Sequence, residues 1–218
     1  MVDFDNYHLH DLTHTYRDGL PGYSRESART RERDGWNASW LHLYSHVGTH
    51  MDAPRHFDVN DGSIDDFTPA QLTGRAWIVR APVLKDRTVL TPAILAPLLN
   101  HWRRGDSLLL HTGWDRLFAG DYERWRNALP RIGDELAVWC VDNGVRMLGV
   151  EGPSVADVND LPEVTRIHEI LLGGGVIIIE GLTGLDNIRK DRVDLIALPL
   201  KIGGGDGAPA RVIALEER

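Results

Sequence analysis

The pattern of hydrophobic and polar positions predicts short strands separated by a few helices. Residues 40–46, WLHLYSH, alternate apolar and polar side chains, which is typical of a half-buried strand. Residues 176–179 are continuously apolar, which favours a strand that is covered on both faces. The strands predicted in this way are residues 40–46, 76–83, 107–111, 146–150, 176–180, 195–200 and 210–215.

Capping residues and glycines predict three helices. Thr91 followed by Pro92 is a helix start, and we expect that helix to reach Arg104 and to end at Gly105. The other two are predicted over residues 133–143 and 163–172, each followed by glycine. Strands alternating with helices indicate an α/β fold, with a mixed sheet or barrel and surrounding helices, and we expect one domain over residues 1–218.

Residues 17–39 differ from the rest of the chain because they are polar and rich in arginine, glutamate and glycine. We interpret them as a long loop or arm. A charged run of this kind is usually only a solvated surface. A long loop ahead of a candidate site can also be a lid or a dimer contact.

Composition narrows the possible partners and location. The net charge is −8 and the isoelectric point about 5.6, which disfavours nucleic acid and anionic membranes as main partners. No apolar run is long enough to span a bilayer, and the first ten residues do not resemble a secretion signal. The one cysteine, Cys140, is expected to be a buried helix residue. These features predict a cytoplasmic protein.

Candidate metal chemistry is concentrated in residues 45–57, SHVGTHMDAPRHF. His46 and His50 are four residues apart, and Asp52 follows two residues later. The helical zinc motif has the same histidine spacing, but Gly48 and Pro54 argue against a helix here. We therefore expect the imidazoles to meet where a strand ends and a turn begins. One histidine alone would more often be a packed core residue, whereas this combination indicates a metal site for zinc, manganese or iron.

Three further residues complete the predicted site. His56 is a candidate general acid and base, but it could also be another ligand or a structural residue. His168 lies in a predicted helix, and Glu180 ends a strongly apolar strand. A buried carboxylate needs a partner, and a metal ion would be one; an exposed strand end is the alternative for Glu180.

Aromatic residues near the motif are candidate substrate contacts. Trp36 in the polar segment is the stronger candidate, and Tyr44 is another. For Trp40 and Tyr44, packing in the core is the favoured expectation.

The segment from His46 to His56 resembles the H-x-G-T-H-x-D-x-P-x-H signature of the cyclase-like metal-dependent hydrolases, a family that includes bacterial kynurenine formamidase and isatin hydrolase. Three looser resemblances lie at residues 10–13, 149–154 and 198–209. The resemblance implies the swivelling β/β/α-type cyclase fold, a homodimer or higher oligomer, and a small-molecule substrate. It also implies one or two divalent ions, zinc or manganese.

The same resemblance assigns roles to residues. His46, His50 and Asp52 would hold one metal ion, and Asp52 could bridge to a second ion held by His168 and Glu180. His56 would be the catalytic proton shuttle. The implied activity is hydrolysis of an amide, formamide or lactam C–N bond in an aromatic or cyclic substrate. The alternatives are a metal-dependent cyclase or dehydratase, a lactone hydrolase, and a metal-binding module without catalysis.

The chain departs from the family pattern where substrate should be recognised. Residues 20–24 replace a W-P-G-D-like stretch of the formamidases, and Glu151 with Gly152 replaces Asp-Thr. Residues 156–158 replace Asp-Pro. These differences bear more on the substrate than on the hydrolase chemistry.

Overall fold

The computed structural model describes residues 4–82 and 85–218. The described residues form twelve strands, four α-helices and several short 3-10 turns. The strands are β1 (Tyr7–Asp11), β2 (Tyr23–Arg29), β3 (Ala38–Leu43), β4 (His50–Asp52), β5 (Thr73–Arg80), β6 (Val89–Leu90), β7 (Ser107–His111), β8 (Arg131–Ile132), β9 (Met147–Val150), β10 (Ile177–Glu180), β11 (Arg192–Pro199) and β12 (Gly207–Glu217). The helices are α1 (Arg31–Asp34), α2 (Tyr122–Asn127), α3 (Asp134–Asp142) and α4 (Leu161–Gly173).

Seven strands close into a mixed barrel. The order is β12, β11, β5, β7, β9, β10 and β4, and β4 pairs again with the first residues of β12. The four strands β5, β7, β9 and β10 run parallel, and the other pairs are antiparallel. Strand β1 extends the sheet on the later part of β12. The predicted mixed sheet or barrel is confirmed.

The apolar strands separate two cores. Ile177 and Ile179 of β10 belong to the core inside the barrel, whereas Ile178 packs in a second core outside it. In β7, Leu109 points inward and Leu108 packs in the outer core. This alternation follows from the two-residue period of a strand. Because one face of each central strand packs in the inner core and the other in the outer core, these strands carry no polar face, as the sequence predicted.

Helix α4 is set in place by its cap and by its apolar face. Asp160 caps its start by accepting a hydrogen bond from the Glu163 backbone N–H at 3.1 Å, and Pro162 lies in the first turn. Ile167 and Leu171 are fully buried against the outside of the barrel. This packing holds His168 in the interior. The predicted helices at 133–143 and 163–172 are confirmed, as is the burial of Cys140.

The helix predicted over residues 92–104 is wrong. The structure has a single 3-10 turn, Pro92–Leu95, followed by turns. Pro97 lies inside the predicted span, where it cannot donate the backbone hydrogen bond that a helix needs and where its ring clashes with the preceding turn.

Residues 17–39, interpreted as a long loop or arm, form an arm rather than a loop for much of their length. Strands β2 and β3 pair as an antiparallel hairpin, with α1 between them, and this ribbon is separate from the barrel. We call residues 23–43 the arm. Its residues are mostly exposed, so its strands lack the one-sided hydrophobic pattern that identifies a half-buried strand. The strand predicted at 40–46 ends at Leu43, and it is exposed rather than half-buried.

The other predicted strands are found close to the expected positions. The strand predicted at 76–83 ends at Arg80, and Val83 itself lies outside the described residues. Among the helices of residues 4–82 and 85–218, none has the length and apolar character needed to cross a membrane.

Candidate metal centre

The turn that carries His46 is held by close backbone contacts. Gly48 adopts φ of 59°, and a side chain on Gly181 would strike the Gly48 carbonyl oxygen. The Thr49 hydroxyl donates to the Gly181 carbonyl at 2.5 Å. It also accepts from the His14 backbone N–H at 2.9 Å. The bend at Gly48 is as the sequence predicted, and Thr49 anchors it.

Strand β4 presents two of the candidate ligands on one face. It lies between β10 and β12, and its first residue, His50, is opposite Glu180. Because strand side chains alternate, His50 and Asp52 point to the same side while Met51 enters the barrel core. The register of β4 and β10 thus joins the motif to Glu180, which is 130 residues away.

All five predicted ligands meet in one cluster. His46 Nδ1 lies 2.8 Å from Asp52 Oδ1, and His50 Nε2 lies 3.1 Å from Glu180 Oε2. His168 Nε2 lies 3.4 Å from Glu180 Oε1 and 3.7 Å from Asp52 Oδ2. Both carboxylates and the imidazoles of His50 and His168 are almost completely buried. Glu180 is therefore a buried strand end, and the exposed alternative is wrong.

Backbone carbonyls orient two of the imidazoles. His50 Nδ1 lies 3.0 Å from the Gly48 carbonyl, and His168 Nδ1 lies 2.7 Å from the Val164 carbonyl. A carbonyl only accepts, so in both rings Nδ1 is the donor and Nε2 is the atom turned towards the carboxylates. Metal-binding histidines in proteins are commonly held in this way through their second nitrogen.

The cluster fits a divalent cation. Among the described residues, His50 Nε2 and Asp52 Oδ2 are buried without a hydrogen bond, although carboxylate and imidazole atoms lie within 4 Å of both. Buried polar atoms are normally satisfied, and a cation would use both lone pairs. Candidate ligand atoms lie within 4.8 Å of one another in three sets: His46, His50 and Asp52; Asp52, His56 and His168; and His46, His56 and Asp206.

Electrostatics within the cluster are dominated by Asp52. Burial would raise the pKa of Asp52, but the hydrogen bond from His46 and the charge of His50 hold it well below its usual range. Burial would lower the pKa of His46, but Asp52 outweighs this effect and raises it to about 9. The cluster strongly favours an ionised carboxylate at its centre, as a cation site requires.

His56 lies beside the cluster and is partly open to solvent. It belongs to the turn Pro54–Phe57, and its ring stacks on His46 with centroids 3.8 Å apart. Its side chain is 25% exposed, against 2% for His168. Burial lowers the pKa of His56. A neutral imidazole at the open side of the cluster can exchange protons with a bound molecule.

Asp206 is a site residue that the sequence reasoning did not single out. Its carboxylate Oδ2 lies 3.0 Å from His46 Nε2 and 4.0 Å from His56 Nδ1. Its backbone carbonyl accepts from the Ala53 N–H at 2.9 Å, which ties residues 203–207 to the end of β4. The signal in the sequence was an acidic residue within a glycine-rich loop.

A cavity of about 340 Å³ opens over the cluster. One wall is formed by α2 and the other by the turn before β4, and Ser154 also contributes. The lining residues include Pro21, Gly22, Tyr44, His46, His50, His56, Tyr122, Trp125, Arg126, Ser154, His168 and Glu180. The segment before the arm thus reaches the cavity through Pro21 and Gly22.

Of the two predicted aromatic substrate contacts, only Tyr44 lines the cavity. Its ring lies 5.7 Å from that of His46. Trp36 is not among the lining residues and lies exposed in the arm. The expectation that Trp40 and Tyr44 pack in the core is wrong, because they are 67% and 60% exposed. The arm, which carries Trp40, does not pair with the barrel, so this side chain has no core to enter, and Tyr44 directly follows the arm.

Glu151 supports the cavity wall from behind. Its buried carboxylate accepts from the Thr112 N–H and hydroxyl and from the Trp114 N–H at 2.7–2.9 Å. Its backbone carbonyl accepts from the Trp125 indole at 3.0 Å. Burial, with the charge of Asp115, raises the pKa of Glu151 to about 7.

Replacing Glu151 with glutamine should make stability less dependent on pH. Because the pKa of Glu151 is higher in the folded state, the protonated carboxyl group stabilises the folded protein. This contribution is complete below the pKa of the unfolded state, near 4.5, and is lost as the pH rises through about 7. Glutamine does not ionise. The melting temperature of the variant relative to wild type should therefore rise between about pH 5 and about pH 8. A constant difference measured by circular dichroism at both pH values would contradict the assignment.

Comparison with known proteins identifies the family. The family model Cyclase ("Putative cyclase") matches residues 10–157. The chain belongs to this family. The kynurenine formamidase of Salinibacter ruber is 32% identical over 85% of this chain and 82% of its own length. That of Erythrobacter litoralis is 30% identical over 94% of this chain and 93% of its own.

Solved structures agree with this assignment. Isatin hydrolase A of Ralstonia solanacearum superposes with a TM-score of 0.87 at 25% identity, over 98% of this chain and 93% of that one. Isatin hydrolase A of Labrenzia aggregata gives 0.86 at 24% identity, over 98% and 95%. The family resemblance and the cyclase-type fold predicted from the sequence are both confirmed.

Proposed function

We propose that this cyclase-family protein is a metal-dependent hydrolase that cleaves the C–N bond of an amide, formamide or lactam in a small aromatic or cyclic substrate. The observation that carries the proposal is the buried cluster of His46, His50 and Asp52 beneath a cavity, with His56 at its open side. The enzyme class is supported by relatives that are kynurenine formamidases and by neighbours that are isatin hydrolases. N-formylkynurenine is the first substrate to test.

The contacts within the cluster support two ligand sets. We assign His46, His50 and Asp52 to one ion, and Asp52, His168 and Glu180 to a second where two bind. All ligand atoms are nitrogen or oxygen, which suits zinc or manganese. A divalent ion held here supplies Lewis acidity, which activates water and polarises a carbonyl group.

His56 is proposed to move the proton. Its Nδ1 faces Asp206 at 4.0 Å, so we assign the transferred proton to Nε2. The imidazole accepts a proton from the attacking water and delivers it to the leaving nitrogen. A neutral ring is required for the first step, and the lowered pKa of His56 supports that form.

The cavity walls suit a flat substrate. Tyr44 and Trp125 line the cavity, and Trp125 is fixed by its hydrogen bond to the Glu151 carbonyl. Aromatic rings that line a cavity can pack on an aryl group. Both relevant segments, residues 20–24 and 151–158, depart from the formamidase pattern, so the aryl compound itself must be identified by assay.

The family description favours one further candidate, a cyclase or dehydratase reaction at the same site. Lewis acidity and a proton shuttle serve ring closure as well as hydrolysis. Product analysis in oxygen-18 water distinguishes them, because only hydrolysis incorporates the label.

Turnover of N-formylkynurenine by metal-reconstituted protein, with isatin assayed in parallel by absorbance, tests the proposal. We expect hydrolysis of at least one compound by protein loaded with zinc or manganese, and none after chelation. Isatin turnover alone would indicate lactam hydrolysis. Occupied metal sites with no turnover of either compound would contradict the proposed substrate class.

A homodimer or tetramer and a cytoplasmic location stay predictions from the sequence. The arm supports self-association because Trp36, Trp40 and Leu41 are more than half exposed on it. Sedimentation of the purified protein would test this, and a monomer would contradict it.

A further inference from the structure

Helix α2 presents two polar side chains to the cavity. Tyr122 and Arg126 are four residues apart, which places them on the same side of the helix, and both line the cavity with Trp125. Side chains four residues apart on a helix are neighbours. Burial raises the pKa of Tyr122, and the charge of Arg126 opposes that rise. The guanidinium is therefore near the phenol that forms the α2 wall.

Arg126 differs from the arginines around it. Arg124 on the same helix is paired with Asp86 at 2.8 Å. Arg87 likewise forms an ion pair with Asp157 at 2.9 Å, and Arg131 forms one with Glu163 at 2.8 Å. In the described ranges 4–82 and 85–218, no carboxylate lies within 4 Å of the Arg126 guanidinium, whose hydrogen bond goes to the neutral Asn127 amide oxygen at 2.8 Å.

The charge distribution in the cavity is polarised. Its floor holds the carboxylate Glu180 with His50 and His168, whereas Arg126 is the only lysine or arginine among the described lining residues. A planar guanidinium binds a carboxylate through two parallel hydrogen bonds. A molecule whose reacting carbonyl lies at the floor could place an anionic end against Arg126.

We propose that Arg126 is a specificity-determining residue that binds a carboxylate at the end of the substrate remote from the bond that is cleaved. The inference rests on the proposed function and deepens it, because it requires a substrate that carries a carboxylate. It favours a formamide that carries a carboxylate, such as N-formylkynurenine, over an uncharged lactam, such as isatin.

Binding of two probes to the metal-loaded protein tests the inference. L-kynurenine carries the carboxylate, and kynuramine is the same aryl ketone amine with hydrogen in its place. Calorimetry should give about tenfold tighter binding of kynurenine to wild type, because a charge-assisted, bidentate contact is lost with kynuramine. Arg126→Gln should reduce this ratio to near one, and Arg126→Lys should give an intermediate value.

Arg124→Gln is the matched control, because it removes the same charge from the same helix but outside the cavity. It should leave the wild-type ratio intact. Equal affinities for wild type, no binding of kynurenine, or an unchanged ratio in Arg126→Gln would each overturn the inference. Circular dichroism establishes that each variant is folded.

The same proteins assayed with N-formylkynuramine separate the two proposals. Hydrolysis of this formamide, which lacks the carboxylate, together with equal probe affinities, would overturn the role of Arg126 and leave the hydrolase proposal standing. A kynurenine preference that depends on Arg126, without hydrolysis of any formamide or lactam, would uphold carboxylate binding and contradict the proposed activity.

Discussion

Asp52→Asn is expected to release metal and to lower kcat/KM more than about 100-fold. Residues that only orient a metal ligand typically cost 10–100-fold when they are replaced, and Asp52 is itself a ligand candidate in two of the three sets. Its side chain is fully buried, so water cannot take the place of the lost charge. Asparagine keeps the shape of the side chain but removes the charge that two cation sites would share.

Metal content by mass spectrometry, measured together with turnover, checks this result. Asp194→Asn is the control, because Asp194 is an exposed aspartate on strand β11 and belongs to none of the three sets. It should retain full metal content. Stoichiometric metal and normal turnover in Asp52→Asn would show that the cluster is not the metal site.

The part of the site that is local in sequence was predictable. His46, His50 and Asp52 lie within seven residues, and Gly48 and Pro54 indicated a turn rather than a helix. The alternation of a strand then places His50 and Asp52 on one face. Short-range geometry alone was therefore enough to nominate these ligands.

The long-range part required the fold. Glu180 faces His50 only because β10 pairs with β4, and Asp206 reaches His46 only because the loop before β12 lies against the end of β4. The local pattern of apolar and polar residues does not predict which strands pair when they are more than 100 residues apart. The position of Glu180 at the end of an apolar strand and the resemblance to a family both nominated this residue, whereas nothing singled out Asp206.

Two errors in the predicted fold have local physical causes. A proline at position 97 interrupts a segment whose other residues favour a helix. The arm lacks a buried face, so the hydrophobic period that identifies strands is missing from it. The barrel strands were found because burial on both faces leaves a strong apolar signal.

His56→Ala is expected to lower kcat about 100-fold or more while the metal stays bound. General acid and base catalysis by a positioned side chain contributes about 10²–10⁴-fold to rates. His56 is more exposed than His46, on which it stacks, and the proposed ligand sets are complete without it. His56→Gln retains much of the volume and the polarity but cannot transfer a proton, so it should be nearly as impaired as the alanine variant.

Metal content decides between the two roles that the geometry allows. His56 also belongs to two of the three sets of potential ligands, one with Asp52 and His168 and one with His46 and Asp206. A proton shuttle predicts full metal content and a low kcat in both variants. Loss of metal from both variants would make His56 a ligand, and the proton would then have to be carried by another group that lines the cavity.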